Sequence, residues 1–117
     1  MIFHVVLFRP RPDVGEAERR AMFDALDAAS DGIPSVRRFL IGRRVTHGAT
    51  YEGMMKEDFP YSAVVEFDDL AGLAEYRTHP KHEELGRLFY ALLEAALVYD
   101  YEIEDAGQLS VRDASLG

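Results

Sequence analysis

The chain of 117 residues is 48% hydrophobic and 29% charged, and it contains neither cysteine nor tryptophan. This composition predicts one globular domain, and the lack of cysteine excludes disulfides, thiolate metal sites and cysteine nucleophiles. With 21 acidic and 13 basic residues the net charge is −8, which argues against nucleic-acid binding. Because no apolar run reaches the length of a membrane span and the N-terminus lacks the features of a signal peptide, we expect a cytoplasmic protein.

The first predicted element is a strand over residues 2–8. Its residues are apolar on both faces, with the exception of His4. Such a pattern is typical of a central strand that is covered on two sides. The Arg-Pro-Arg-Pro sequence of residues 9–12 is expected to end this strand, because proline cannot donate a hydrogen bond to the ladder.

A helix, a second strand and a long loop follow. Apolar residues at helical spacing predict a helix over residues 14–30, with Asp13 as its N-cap and a stop at Gly32. An arginine-rich second strand is predicted over residues 36–45. Residues 46–60 show no periodicity and predict an irregular loop, either a lid over a pocket or an arm against a partner.

The second half of the chain predicts a strand, a broken helix and a last strand. The third strand is expected over residues 61–67. The helical region after it should break at Pro80 and resume beyond it, because proline lacks a donor and restricts the residue before it. The fourth strand is expected over residues 96–103. We therefore expect one domain over residues 1–105 and a C-terminal tail over residues 106–117.

The element order βαββαβ predicts an α+β protein with a ferredoxin-like fold, in which helices cover one face of an antiparallel sheet. If His4 faces the helices, Phe3, Val5 and Leu7 lie on the uncovered face. An apolar sheet face needs a cover, and a second copy of the chain is the simplest one. We therefore expect a homodimer that packs sheet to sheet.

Three segments of the sequence form a recognisable set of motifs. His4 stands in the sequence HVVLF, and an Ile33-Pro34 turn leads to a strand that ends at Gly42. Residues 75–82 read EYRTHPKH, which is a His-Pro-x-His element with a tyrosine three residues before it. Together with the element order, these motifs resemble the Dabb family of stress-responsive dimeric α/β-barrel proteins over roughly residues 2–104.

The resemblance implies a ferredoxin-like monomer and a dimer whose two sheets form a barrel. The family includes plant stress proteins and polyketide cyclases, and some members bind magnesium. In the cyclase branch, catalysis uses a histidine on the first strand, the tyrosine before the His-Pro-x-His element and its second histidine. By position these are His4, Tyr76 and His82. The longer loop with Met54 and Met55 departs from the cyclase pattern and leaves the substrate open.

The chemistry of these residue types fits cofactor-free acid–base catalysis. Imidazole has an ordinary pKa of about 6.5, which suits a base near neutrality, and we assign this role to His82. The Tyr76 hydroxyl can donate a hydrogen bond to a developing oxyanion, and His4 is an orienting group or a secondary acid or base. Three further residues are candidates for pocket-lining or structural roles: His79, Met54 and Met55.

A metal site is the competing interpretation of the histidines. The imidazoles of His4, His79 and His82 could together bind zinc. Their spacing across the break at Pro80 is poor for a shared metal, so we expect neither a metal nor a cofactor.

Three functions stay open at this point. The first is a cofactor-free cyclase, isomerase or decarboxylase acting on small apolar carbonyl-bearing molecules. The second is a non-catalytic stress or binding protein, and the third is a cofactor-independent monooxygenase of the related dimeric-barrel type. An apolar cavity shared by His4, Tyr76 and His82 would favour the enzyme, whereas a filled core would favour the binding protein.

Overall fold

The computed structural model describes residues 1–108. Most of the predicted tail, residues 109–117, lies outside the described part of the chain. Within these residues, four strands and three α-helices follow one another in the predicted order: β1 (Ile2–Pro10), α1 (Glu16–Gly32), β2 (Arg38–Arg43), β3 (Tyr61–Phe67), α2 (Leu70–Thr78), α3 (Pro80–Leu92) and β4 (Leu93–Glu102). The prediction of an α+β, ferredoxin-like chain is confirmed.

The four strands form one antiparallel sheet in the order β2-β3-β1-β4. Alternate residues of the central strand β1, namely Ile2, His4, Val6 and Phe8, are buried on the helical side. In the ladder, His4 lies opposite Val65 on β3 and opposite Asp100 on β4. His4, the polar residue in the apolar part of β1, therefore points towards the helices, which is the condition under which the sequence analysis placed Phe3, Val5 and Leu7 on the other face.

The expected end of β1 is wrong, because the strand continues through Arg9 to Pro10. Pairing with β3 ends at Phe8, and pairing with β4 shifts register between Arg9 and Pro10. Proline is tolerated at this bulge although it lacks an N–H. On one side no strand pairs with it, and on the other side the regular hydrogen-bond ladder is interrupted.

The predicted start of α1 is also wrong. The helix begins at Glu16 with Gly15 as its N-cap, and the Gly15 N–H donates to the Glu18 carboxylate at 3.3 Å. Val14 is 7% exposed and belongs to the core, so the chain anchors this side chain before the helix starts. Asp13 instead forms an ion pair with Arg11, and the helix ends at Gly32.

Strand β2 is shorter than predicted, and β4 starts earlier. Val36 lies in a turn in which its N–H donates to the Ile33 carbonyl, so pairing with β3 starts only at Arg38. β4 begins at Leu93, directly after α3, and ends at Glu102. The loop predicted over residues 46–60 contains a short 3₁₀ turn at Thr50–Met54.

The helical region breaks at Pro80, as predicted. Pro80 occupies the first position of α3, where its missing N–H has no helical partner to lose. His79 caps the new helix, since its Nδ1 accepts a hydrogen bond from the Lys81 N–H at 3.1 Å. His79 is therefore both the C-cap of α2 and the N-cap of α3.

The sheet face opposite the helices is apolar and open in the single chain. Phe3, Val5 and Leu7 are partly exposed there, and they are joined by Leu97 and by Tyr99, which is 52% exposed. The composition of this face is as expected from the alternation in β1. Within residues 1–108 no helix combines the length and apolar character that a membrane crossing requires.

Candidate active site

A cavity of about 460 Å³ lies between the sheet and α3. Its wall is mostly apolar and includes Leu26 from α1, Phe39 from β2, and Leu85 and Phe89 from α3. A volume of this size suits a small organic ligand. The sequence-predicted residues His4, Tyr76 and His82 all line this cavity.

His4 is held from the middle of β1 by a partner on the neighbouring strand. Its Nδ1 lies 2.6 Å from Oδ1 of Asp100. A carboxylate can only accept, so Nδ1 carries the hydrogen, and in the neutral form of the ring the lone pair is on Nε2. Asp100 thus fixes both the tautomer and the orientation of His4.

Asp100 was not among the residues singled out by the sequence analysis. It lies on the same side of β4 as Ala96 and Val98, directly opposite His4 in the antiparallel pair. The sequence does show an acidic residue at a core-facing position of the predicted fourth strand. Its pairing with His4 could not be predicted, because it depends on the register between β1 and β4, which lie more than 80 residues apart in the sequence.

Tyr76 lies in the last turn of α2 between the two histidines. Its ring centroid is 5.7 Å from that of His4 and 4.5 Å from that of His82, and the residue is 2% exposed. Burial raises the pKa of Tyr76 well above its ordinary value of 10, so the phenol stays protonated. Within residues 1–108 its hydroxyl has no protein hydrogen-bond partner, which leaves it available to a ligand.

His82 lies in the first turn of α3, three residues after the break. Its Nδ1 donates to the Arg77 carbonyl at 3.1 Å. That carbonyl belongs to the last turn of α2, where helical carbonyls have no partner within the helix. The bond places the hydrogen on Nδ1 and leaves the Nε2 lone pair of the neutral ring free.

Burial is the main cause that lowers the pKa of His82 below its ordinary value of 6.5, and the nearby charge of His4 adds to the effect. The bond to Arg77 acts in the opposite direction. His82 is therefore neutral at pH 7, which is the form that a general base requires.

We predict that His82 titrates below pH 6.5 in the folded protein. Because the unfolded chain then binds the proton first, the free energy of unfolding should fall as the pH drops from about 6.5 towards the folded pKa, and it should be level above that window. Imidazole NMR signals measure the pKa directly, and denaturation at several pH values measures the slope. In His82→Gln the difference between pH 7 and pH 5.5 should be smaller than in the wild type; an equal difference would contradict the prediction.

The other three candidates lie outside this cavity. His79 caps α3 and does not line the cavity, so its structural interpretation fits. Met54 and Met55 are exposed, and Met55 lines a different cavity of about 740 Å³ on the open side of the sheet. Among residues 1–108 no cluster of three histidine or acidic side chains could hold a metal ion. His4, His79 and His82 therefore do not form the three-histidine zinc site considered in the sequence analysis.

A ferredoxin-like fold with a cavity between the sheet and the helices is what an α/β-barrel domain would have. The chain belongs to the stress responsive A/B barrel domain family, Dabb, whose model matches residues 2–103. Olivetolic acid cyclase from Cannabis sativa is 24% identical over 100 residues, which cover 84% of this chain and 92% of the cyclase.

Solved structures support the same fold. A hydroxynitrile lyase from Passiflora edulis superposes with a TM-score of 0.75 at 15% identity, over 90% of this chain and 94% of the lyase. A dimeric ferredoxin-like protein of unknown function from Jannaschia sp. superposes with a TM-score of 0.68 at 26% identity, over 87% of this chain and 98% of that protein.

Proposed function

We propose that this protein binds small, apolar, carbonyl-bearing molecules in the cavity and catalyses cofactor-free acid–base chemistry on them. The observation that carries the proposal is the convergence of His4, Tyr76 and His82 on one apolar cavity. Two imidazoles, each bonded through its Nδ1, flank a protonated phenol, and this set can accept a proton at one atom and donate a hydrogen bond at another.

In this proposal His82 is the general base. Its Nε2 accepts a proton from the carbon next to a carbonyl, and the C–H electron pair moves into the enolate. The Tyr76 hydroxyl donates a hydrogen bond to the enolate oxygen, where negative charge develops. The raised pKa of Tyr76 keeps this donor protonated throughout.

His4 acts as an orienting group or a second acid or base. Its bond to Asp100 stabilises an imidazolium if His4 takes up a proton. The proton could then be returned to a second position of the same molecule, as cyclisation and isomerisation both require. A cyclase and a lyase among the similar proteins are consistent with catalysis on this fold.

A filled core would have favoured a purely structural or binding role. A cavity of about 460 Å³ and a Tyr76 hydroxyl without a hydrogen-bond partner among residues 1–108 favour catalysis instead.

The proposal is tested by the exchange of α-protons for deuterium. A panel of neutral methyl ketones and β-diketones, including 4-methylacetophenone, is incubated with the protein in D₂O and followed by ¹H NMR. At least one ketone should exchange faster than in buffer of the same pH. His47→Gln serves as the control, because His47 is an exposed histidine outside the cavity. No acceleration for any ketone, or equal acceleration by wild type and His82→Gln, would contradict the proposal.

We also propose a homodimer in which the open sheet faces of two copies pack together. Apolar side chains cover this face, and Glu66 is buried on it beside Arg38 at 3.4 Å. A large apolar sheet face is stable in water only when it is covered. The Jannaschia protein with the same fold is dimeric.

A further inference from the structure

One row of side chains on α3 connects the cavity to solvent. His82, Gly86 and Tyr90 follow each other at four-residue spacing and all line the cavity. Residues at this spacing lie on the same face of a helix. Gly86 is exposed and Tyr90 is 94% exposed, so the row leads outwards from His82 to the surface.

Gly86 has no backbone or packing reason to be glycine. Within residues 1–108 the only glycine with a positive φ is Gly48. A Cβ added at Gly86 would meet no atom of residues 1–108 within 4 Å, so none of the described residues packs against this position. Glycine is a poor helix former, and alanine would suit the middle of α3 better. The property that distinguishes glycine here is the open space it leaves one helical turn from His82.

The opposite side of this opening is formed by β4. Ala96 and Val98 line the cavity from the helical side of this edge strand, yet Val98 is 54% exposed. An open groove therefore runs between α3 and β4, with Gly86 on one side and two small side chains on the other. The charged residue at its rim, Glu94, is bound by Arg9 at 2.7 Å. Among residues 1–108 no lysine or arginine lines the cavity.

We propose that Gly86 is the gap through which the non-reacting end of the ligand leaves the cavity. The site then takes elongated carbonyl compounds, with the carbonyl head between Tyr76 and His82 and an uncharged apolar tail over Gly86 along Ala96 and Val98. An anionic tail is disfavoured because, in the described part of the chain, no lysine or arginine lines the cavity to pair with it. This inference rests on the proposed function, since it assumes that a carbonyl compound occupies the cavity.

Two ketones that share a head and differ in the tail test the gap. The affinities of 4-methylacetophenone and 4-hexylacetophenone are measured by NMR titration with wild type, Gly86→Ala, Gly86→Phe and Arg87→Phe. Arg87 is exposed and does not line the cavity, so its variant controls for an added phenyl group on α3.

The wild type should bind the hexyl ketone at least about tenfold more tightly, which is roughly what two buried methylene groups contribute. Gly86→Phe should lose about tenfold for the hexyl ketone and less than about threefold for the methyl ketone. Gly86→Ala should weaken binding of the hexyl ketone by less than Gly86→Phe does, and Arg87→Phe should bind both ketones as the wild type does. Equal losses for both ketones in Gly86→Phe, or no loss for the hexyl ketone, would overturn the inference.

A second experiment needs no ligand. The natural chain has no cysteine, so Gly86→Cys carries the only thiol. Hexyl methanethiosulfonate converts this thiol into a mixed disulfide and releases methanesulfinate, which places a hexyl group at the gap. The imidazole signals of His82 should shift on labelling, whereas labelling Arg87→Cys should leave them unchanged. Unchanged His82 signals in labelled Gly86→Cys would contradict the proposal that the groove at Gly86 leads to His82. Shifted signals without ketone binding to the wild type would support the groove and contradict the proposed function.

Discussion

Replacing His82 by glutamine is expected to lower the enzyme-dependent rate of α-proton exchange by about 10² to 10⁴-fold, the usual contribution of a general base. Glutamine retains a hydrogen-bonding side chain but cannot accept the proton at pH 7. Tyr76→Phe should lower the same rate by about 10² to 10³-fold, because the enolate oxygen loses its donor. Rates are measured by ¹H NMR in D₂O with the most reactive ketone of the panel.

His47→Gln is the matched control and should leave the rate unchanged within about twofold. Both site variants should keep most of the free energy of unfolding. Tyr76→Phe removes only a hydroxyl that has no hydrogen-bond partner in the described part of the chain, and the glutamine in His82→Gln can still donate a hydrogen bond. If both variants instead lose several kcal/mol of stability and the exchange rate per folded molecule is unchanged, the residues are structural and the catalytic assignment fails.

The second large effect concerns the open sheet face. The wild type should sediment at twice the chain mass of 13.2 kDa. Tyr99→Asp places a carboxylate in the middle of the proposed interface, opposite Val5 in the β1–β4 ladder. Burying an unpaired charge there should weaken the dimer by at least about 10²-fold, so the variant should sediment as a monomer at micromolar concentration.

Tyr90→Asp is the matched control for the dimer. Tyr90 is nearly fully exposed on the helical side, so the same substitution there should leave the dimer intact. Sedimentation velocity and light scattering both measure the mass. A stably folded wild-type monomer, or dimers formed by Tyr99→Asp with unchanged affinity, would contradict sheet-to-sheet packing.

The element order was predictable because periodicity reports which faces of the chain are buried. The bounds of β3 at Tyr61–Phe67 and the break at Pro80 follow from local patterns alone. The start of α1 did not, because it depends on Val14 reaching a core that only the folded chain forms. The continuation of β1 to Pro10 likewise depends on which neighbouring strand is present beside it.

The sequence predicted which polar residues line the cavity but not the hydrogen bonds that orient them. Alternation in β1 and the family-like motif pointed to His4, Tyr76 and His82 without tertiary information. The tautomers of the two imidazoles depend on bonds to Asp100 and to the Arg77 carbonyl, which are tertiary contacts. The proposed opening at Gly86 could not be predicted from the sequence either, because it depends on the position of β4 beside α3.

The central claim is that His4, Tyr76 and His82 form one ligand site, and an NMR titration of the wild type with 4-methylacetophenone tests it most directly. The four histidines of the chain make the imidazole signals assignable one by one. The signals of His4 and His82 and the ring signals of Tyr76 should shift along a single binding curve, while those of His47 and His79 stay in place. Shifts confined to one of the three residues, or shifts at His47 or His79 with none at His82, would contradict the account.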